Sequence, residues 1–263
     1  MSYPDLEAFC LFVGYPRSGH SLVGSLLDAH PDIAIAHEAN AVKLVSVEGV
    51  GREALFEALL RNAAGQAERT GGRRASGYSY AVADQWQGRV RTLRVIGDKS
   101  GKKTASRLGG DETALETLAR VVRLPLRLVH VVRNPYDIVA RMALVRSSKG
   151  AGAEEAVHRS ITVLDRLLAA ADGLMRRGTF PMLTVEHEAF VRDPVNGLRS
   201  LCGFLGVDAD PDYLAACASI VNPSPHETRR LVAWSERDLH RVAELIRRHD
   251  FLHRYDPPPV AET

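Results

Sequence analysis

The chain has 263 residues, 34 basic and 32 acidic side chains and a net charge of +2, with 45% hydrophobic and 25% charged residues. That composition supplies a full core, and so even a charge balance argues against nucleic acid as a partner, so an anion site must be local. Three scattered cysteines, Cys10, Cys202 and Cys217, exclude a disulfide framework or a zinc site, and no apolar run reaches the length of a membrane span, so a cytoplasmic chain is expected.

The first apolar run predicts a strand over 8–13, ending at Gly14. Tyr15-Pro16-Arg17-Ser18-Gly19 follows as a loop, and Leu22, Val23, Leu26 and Leu27 then recur at helical spacing, predicting a helix over 20–29. A strand, a glycine loop and a helix in that order make a phosphate cradle, because backbone N–H groups and the positive helix end face an anion. The spacing Gly14-x4-Gly19-x-Ser21 is that of a nucleoside triphosphate loop, with His20 where the lysine belongs. The residue that holds β- and γ-phosphates is missing, and a cation stands at Arg17 instead.

Further strands are predicted over 33–36, 93–96, 126–132 and 180–185, and helices over 52–64, 111–122, 136–146, 153–177, 194–205, 210–220 and 235–249. The alternation predicts an α/β fold of three layers, a central and mostly parallel sheet flanked by helices, as a single domain over 1–263. Residues 65–91 interrupt it with Gly71-Gly72-Arg73-Arg74, Tyr78, Tyr80 and Trp86, and are expected to form a flap over the site or a surface excursion. Pro257-Pro258-Pro259 opens a tail over 257–263.

Ligands of an open parallel sheet bind beyond the carboxyl ends of its strands. There the strands deliver, in turn, Arg17 with the loop; His37 and Glu38; Asp98, Lys99 and Ser100; Arg133, Asn134 and Pro135; and Glu186, His187 and Glu188. Cations and carboxylates thus share one rim with the cradle. Asp98 is a candidate to orient Lys99 or Arg17, or to cap the next turn.

The string Tyr15-Pro16-Arg17-Ser18-Gly19-His20-Ser21-Leu22, running into Leu27-Asp28-Ala29-His30-Pro31, resembles the 5′-phosphosulfate loop of sulfotransferases. These enzymes use 3′-phosphoadenosine 5′-phosphosulfate (PAPS). The tyrosylprotein and carbohydrate branch looks closest, with His20 and Ser21 where that branch has two threonines. Val131-Val132-Arg133-Asn134-Pro135-Tyr136-Asp137 resembles the family's 3′-phosphate motif. Phe190-Val191-Arg192-Asp193-Pro194 and Gly203-Phe204-Leu205-Gly206 resemble two of its architectural segments.

The resemblance implies a P-loop-like fold and a set of roles. Arg17, Ser18, Gly19, His20 and Ser21 would bind the 5′-phosphosulfate, and Arg17 would also serve catalysis. Arg133 would bind the 3′-phosphate, with Arg141 eight residues on, where the family usually has a serine. Glu38 would be the general base and Lys99 would reach the sulfonate. In the cytosolic branches a histidine base stands two residues after that lysine; here the position is Gly101.

The expected reaction moves a sulfonyl group from PAPS to a hydroxyl of a sugar, small molecule or peptide. It leaves 3′-phosphoadenosine 5′-phosphate (PAP) and requires no metal. Two rivals remain. One is a small-molecule kinase, against which His20 speaks, and the other is a non-catalytic PAP-binding protein. Arg229, Arg230 and Trp234 are candidates to close over the nucleotide or to form a solvated face.

Overall fold

Strand β1 (Ala8–Gly14) is buried along all seven residues. Its side chains alternate between faces. Phe9, Leu11 and Val13 enter one apolar core, and Ala8, Cys10 and Phe12 enter the other. A strand apolar on both faces belongs in the middle of a sheet covered twice. The computed structural model, which describes residues 3–70, 79–109, 111 and 113–256, places it there.

β1 pairs with β3 (Val95–Lys99) on one side and β4 (Leu126–Val132) on the other. Outside them lie β2 (Ile33–His37) and β5 (Met182–Glu186), giving the order β2-β3-β1-β4-β5 with every pair parallel. The register sets His37 beside Lys99, Gly14 beside Val131 and Val132 beside Glu186. All five carboxyl ends therefore meet on one rim.

One face is covered by α2 (Ala41–Ser46), α3 (Arg52–Thr70), α4 (Gly101–Leu108), α5 (Ala114–Val122), α6 (Pro135–Ser147), α7 (Ala153–Arg177) and α11 (Glu236–Arg248). The other is covered by α1 (His20–Leu27), α8 (His187–Arg192), α9 (Pro194–Leu205) and α10 (Pro211–Ser219). The three-layer α/β expectation holds. Each large apolar side chain buried in these layers contributes roughly 1.5–3 kcal/mol.

Three differences from the sequence reading bear on the site. The third strand was expected over 93–96 but runs from Val95 to Lys99, because Gly97, Asp98 and Lys99 are poor strand formers held in place by burial. Gly97 is required there, since an added Cβ would meet the Cys10 carbonyl oxygen at 2.3 Å. Helices α2, α4 and α8 were not foreseen, being six to eight residues long and too short to show a period. Helix α3 extends to Thr70 and takes in the start of the expected flap. Residues 71–78 and the tail 257–263 lie outside the described residues. Among the described residues no helix is long and apolar enough to cross a membrane.

Candidate active site

The loop after β1 turns through two left-handed residues, Arg17 at φ 68° and Gly19 at φ 95°. For a non-glycine this conformation costs on the order of 1–3 kcal/mol, so the surroundings must hold Arg17 in place. Arg133 Nη1 donates to the Arg17 carbonyl at 3.3 Å. Ser18, fully buried, donates from Oγ to the Tyr15 carbonyl at 3.0 Å. Gly19 has a second reason to lack a side chain: an added Cβ would lie 2.3 Å from His187 Nδ1. No side chain caps α1; the Leu22 N–H closes on the Gly19 carbonyl at 2.9 Å, and the His20 and Ser21 N–H groups at the helix start remain for a ligand.

Inside that turn, the His20 ring is buried rather than turned to the mouth of the cradle. Its Nδ1 lies 3.2 Å from Ser18 Oγ and its Nε2 lies 3.8 Å from Glu38 Oε1. Burial lowers its pKa, leaving a neutral ring. What His20 offers an anion is its backbone N–H.

Lys99 ends β3 at 1% exposure. A buried ammonium survives only when paired and hydrogen-bonded. Lys99 Nζ donates to Glu38 Oε1 at 3.0 Å and to Ser21 Oγ at 3.2 Å, and lies 3.5 Å from His37 Nε2. Its stem runs against Gly24 of α1, where a Cβ would come within 2.7 Å of Lys99 Cγ. Burial alone would raise the Glu38 carboxyl. The Lys99 ammonium, which donates to Oε1 at 3.0 Å, outweighs it and holds Glu38 far below the usual carboxylate range.

The Glu38 backbone is left-handed as well, at φ 59°. Asp98, fully buried beneath it, explains how. Its carboxylate accepts from the Ala39 N–H at 3.1 Å, the Ala41 N–H at 2.8 Å and Ser100 Oγ at 3.0 Å. Ser100 Oγ in turn accepts from the Asn40 N–H at 2.9 Å. Asp98 thus orders the Glu38 loop. Lys103, on the unforeseen α4, donates to the Glu38 carbonyl at 2.9 Å and lies 3.4 Å from Oε2. Lys99 ends β3 and Lys103 lies in the first turn of α4, so the two reach Glu38 from different elements.

On the other side of β1, Asn134 Oδ1 caps α6 by accepting from the Tyr136 N–H at 2.9 Å. The Asn134 N–H donates to Glu188 Oε1 at 2.9 Å. Arg133 Nη2 donates to the His226 carbonyl. Its Nε is buried and, among the described residues, has no hydrogen-bond partner, as is true of His187 Nδ1. His187, to which the sequence attached no role, is pushed down to about 3 by burial and by the nearby Arg133 and His226. Two orphaned buried nitrogens beside a phosphate loop fit an anionic nucleotide.

Arg17 is lowered by burial and then by the approach of Arg141 from α6. Among the described residues neither guanidinium is paired with a carboxylate. The structure therefore brings Arg17, Arg133 and Arg141 to one place. Arg229 is held otherwise: Asp137 accepts from its N–H at 2.8 Å and from Nη1 at 2.6 Å. That pair docks a 3-10 turn, Thr228–Leu231, on α6, with Trp234 packed edge-on against Tyr136 at 5.4 Å.

A small cleft opens beside Lys99, with Ser25, His37 and Gln66 on its walls. The described part of the expected flap docks on the end of α1 next to it. Gln87 Nε2 donates to the Ser25 carbonyl at 2.9 Å, and the Gly88 N–H donates to Asp28 Oδ2 at 3.0 Å.

No curated protein matches the sequence. Among solved structures, the sulfotransferase domain of a Synechococcus olefin synthase is similar at TM-score 0.53 and 17% identity, covering 98% of this chain and 99% of its own. A sulfotransferase of Mycobacterium avium is similar at TM-score 0.55 and 10% identity, covering 98% and 78%. A mouse sulfotransferase solved in complex with PAP is similar at TM-score 0.50 and 12% identity, covering 94% and 87%. At these identities the likeness shows the fold. The sequence itself matches the model of the sulfotransferase family over residues 11–211, a span that contains the cradle, Glu38, Lys99, Arg133 and Arg141. With that match added to the phosphate loop and the cation-lined rim, the chain belongs to the sulfotransferase family and is a PAPS-dependent sulfotransferase.

Proposed function

We propose that Arg17 and the N–H groups of Ser18, Gly19, His20 and Ser21 hold the 5′-phosphosulfate, and that Arg133 and Arg141 hold the 3′-phosphate. Glu38 takes the proton of the acceptor hydroxyl, and Lys99 steadies the sulfonate. The acceptor, a hydroxyl-bearing sugar, small molecule or peptide, reaches them through the cleft beside His37 and Gln66. The observation that carries this reading is Lys99 Nζ, which joins Ser21 of the cradle to Glu38 at 3.2 and 3.0 Å. One cation thus links the place where the sulfonate sits to the proposed base.

The same contact supplies a trigger. While Lys99 holds Glu38, the carboxylate is ionised but weakly basic. A sulfonate in the cradle competes for the ammonium, and Glu38 becomes more basic as Lys99 turns away. Arg17 and the first-turn amides then hold the charge that develops on the leaving phosphate. The three buried free thiols, Cys10, Cys202 and Cys217, support a reducing, cytoplasmic setting.

Incubation with PAPS and a mixed pool of hydroxyl acceptors, read by mass spectrometry, tests the reading. A product heavier by one sulfonate group is expected, together with PAP. In Glu38→Gln turnover should fall roughly 100-fold or more, the scale of a lost general base, with PAP affinity nearly unchanged. PAP binding without transfer to any acceptor would favour the non-catalytic reading.

A further inference from the structure

Ser18 Oγ has one proton, and it goes to the Tyr15 carbonyl at 3.0 Å. The contact with His20 Nδ1 at 3.2 Å then makes Nδ1 the donor, because a hydroxyl whose proton is engaged can only accept. A neutral imidazole protonated on Nδ1 carries a lone pair on Nε2. That nitrogen faces Glu38 Oε1 at 3.8 Å. Two lone-pair atoms do not attract, which accounts for a distance beyond hydrogen-bond reach. The contact turns favourable once a proton sits on either atom.

We propose that His20 is a relay and positioning residue, receiving at Nε2 the proton that Glu38 takes from the acceptor hydroxyl. This rests on the reading of Glu38 as the base. The acceptor oxygen forms the new bond to sulfur. The bond from sulfur to the bridging phosphate oxygen breaks, and its electron pair goes to the phosphate of PAP. The hydroxyl proton passes to Glu38 Oε1, then to His20 Nε2, and leaves to solvent with the product. His20 becomes a cation in the loop as the departing phosphate gains negative charge. Glu38 returns to a carboxylate beside Lys99.

The surroundings of the ring suit this role. The charged groups facing it are Glu38 after β2 and Lys99 of β3, with Lys103 of α4 on the far oxygen of Glu38. α4 approaches the ring through Gly101, whose added Cβ would lie 3.7 Å from Nδ1. The ring's own loop contributes the Tyr15 carbonyl and Ser18. Burial and then Lys99 favour the neutral ring against the opposing pull of Glu38, so Nε2 is open to a proton near neutral pH.

Nitrogen-15 NMR of histidine-labelled protein reads the tautomer, with His20 assigned by its disappearance in His20→Gln. The expected result is a protonated Nδ1 and a bare Nε2, a titrating proton that arrives on Nε2, and a titration moved to lower pH in Glu38→Gln. A protonated Nε2 with a bare Nδ1 overturns the proposal. PAP release from PAPS, with the acceptor found in the pool above, gives the second arm. Wild-type kcat should fall at low pH, because a protonated Nε2 cannot take the relayed proton.

His20→Gln and His20→Thr should lower kcat at least about tenfold and lose that acid limb, with PAP affinity kept within about threefold. Wild-type kcat with the acid limb intact overturns the relay. So does a loss of PAP affinity as large as the loss of kcat, the mark of a residue that only shapes the loop. Failure of the underlying reading looks different: Glu38→Gln would then turn over at the wild-type rate, whereas a failed relay leaves Glu38→Gln impaired and His20→Gln active.

Discussion

Arg141 departs from its family at a single position and still lies near the loop. It stands where a serine is usual, and α6 carries it toward Arg17 closely enough to depress that guanidinium. Arg133 differs in being tied down, through the Arg17 and His226 carbonyls, with Nε left over. If both hold the 3′-phosphate, Arg133→Ala and Arg141→Ala should each weaken PAP by about 1.5–3 kcal/mol, the worth of a hydrogen bond to a charged group. Adenosine 5′-phosphosulfate, which lacks that phosphate, should lose far less. Calorimetric titration of both nucleotides checks this, and equal losses for the two would argue against a 3′-phosphate contact. Arg17, Glu38 and Arg133 were legible in the sequence because each sits at a fixed step after a strand in a dense motif. His187 carried no sequence role, and Asp98 was singled out without the amides it binds, since their work is to fill space under Gly19 and to gather the amides of Ala39 and Ala41. Such contacts exist only after folding.

At the scale of elements, the site depends on two loops held from below. Asp98 holds the turn after β2, and Asp137 holds the 3-10 turn at Thr228–Leu231 against α6. Asp98→Asn would set an NH₂ group against backbone donors. It should cost about 1–3 kcal/mol of stability and reduce turnover at least about tenfold by freeing Glu38, while PAP affinity changes little. Thermal melts and rates measured together test this, and wild-type turnover would mean that Lys103 and Lys99 suffice to place Glu38. The long strands and helices were readable from apolar periodicity, whereas the third strand slipped by two residues at its start. Its last three residues, Gly97, Asp98 and Lys99, carry no strand signature, and their burial comes from the neighbouring chains. The Asp137–Arg229 pair spans 92 residues of sequence and left no local sign.

Across the whole molecule, buried neutral histidines couple stability to pH. His130, wholly buried, shares a hydrogen bond with the Tyr15 hydroxyl at Nε2 across 2.7 Å, and burial pushes its pKa down to about 3. His187 is pushed to about 3 as well. Because both folded pKa values lie below the unfolded value, the unfolded chain binds more protons as pH falls. Stability is full above the unfolded pKa and declines from there toward about 3. By about pH 5 each histidine should cost on the order of 2 kcal/mol, and the depressed Glu38 carboxyl adds to the loss as pH falls below its unfolded pKa. Melting temperature should therefore drop between about pH 7 and about pH 5; a flat profile would mean that these rings are protonated or exposed in the native state.

This cradle is built for a nucleotide with a 5′-phosphosulfate and a 3′-phosphate, not for a triphosphate. His20 replaces the lysine that would grip β- and γ-phosphates, and three arginines converge on the loop and α6. Isothermal titration of PAP, set against ATP with magnesium under the same conditions, tests this most directly. PAP should bind at least about tenfold tighter, a difference of about 1.4 kcal/mol or more. Tighter binding of ATP with magnesium would contradict it.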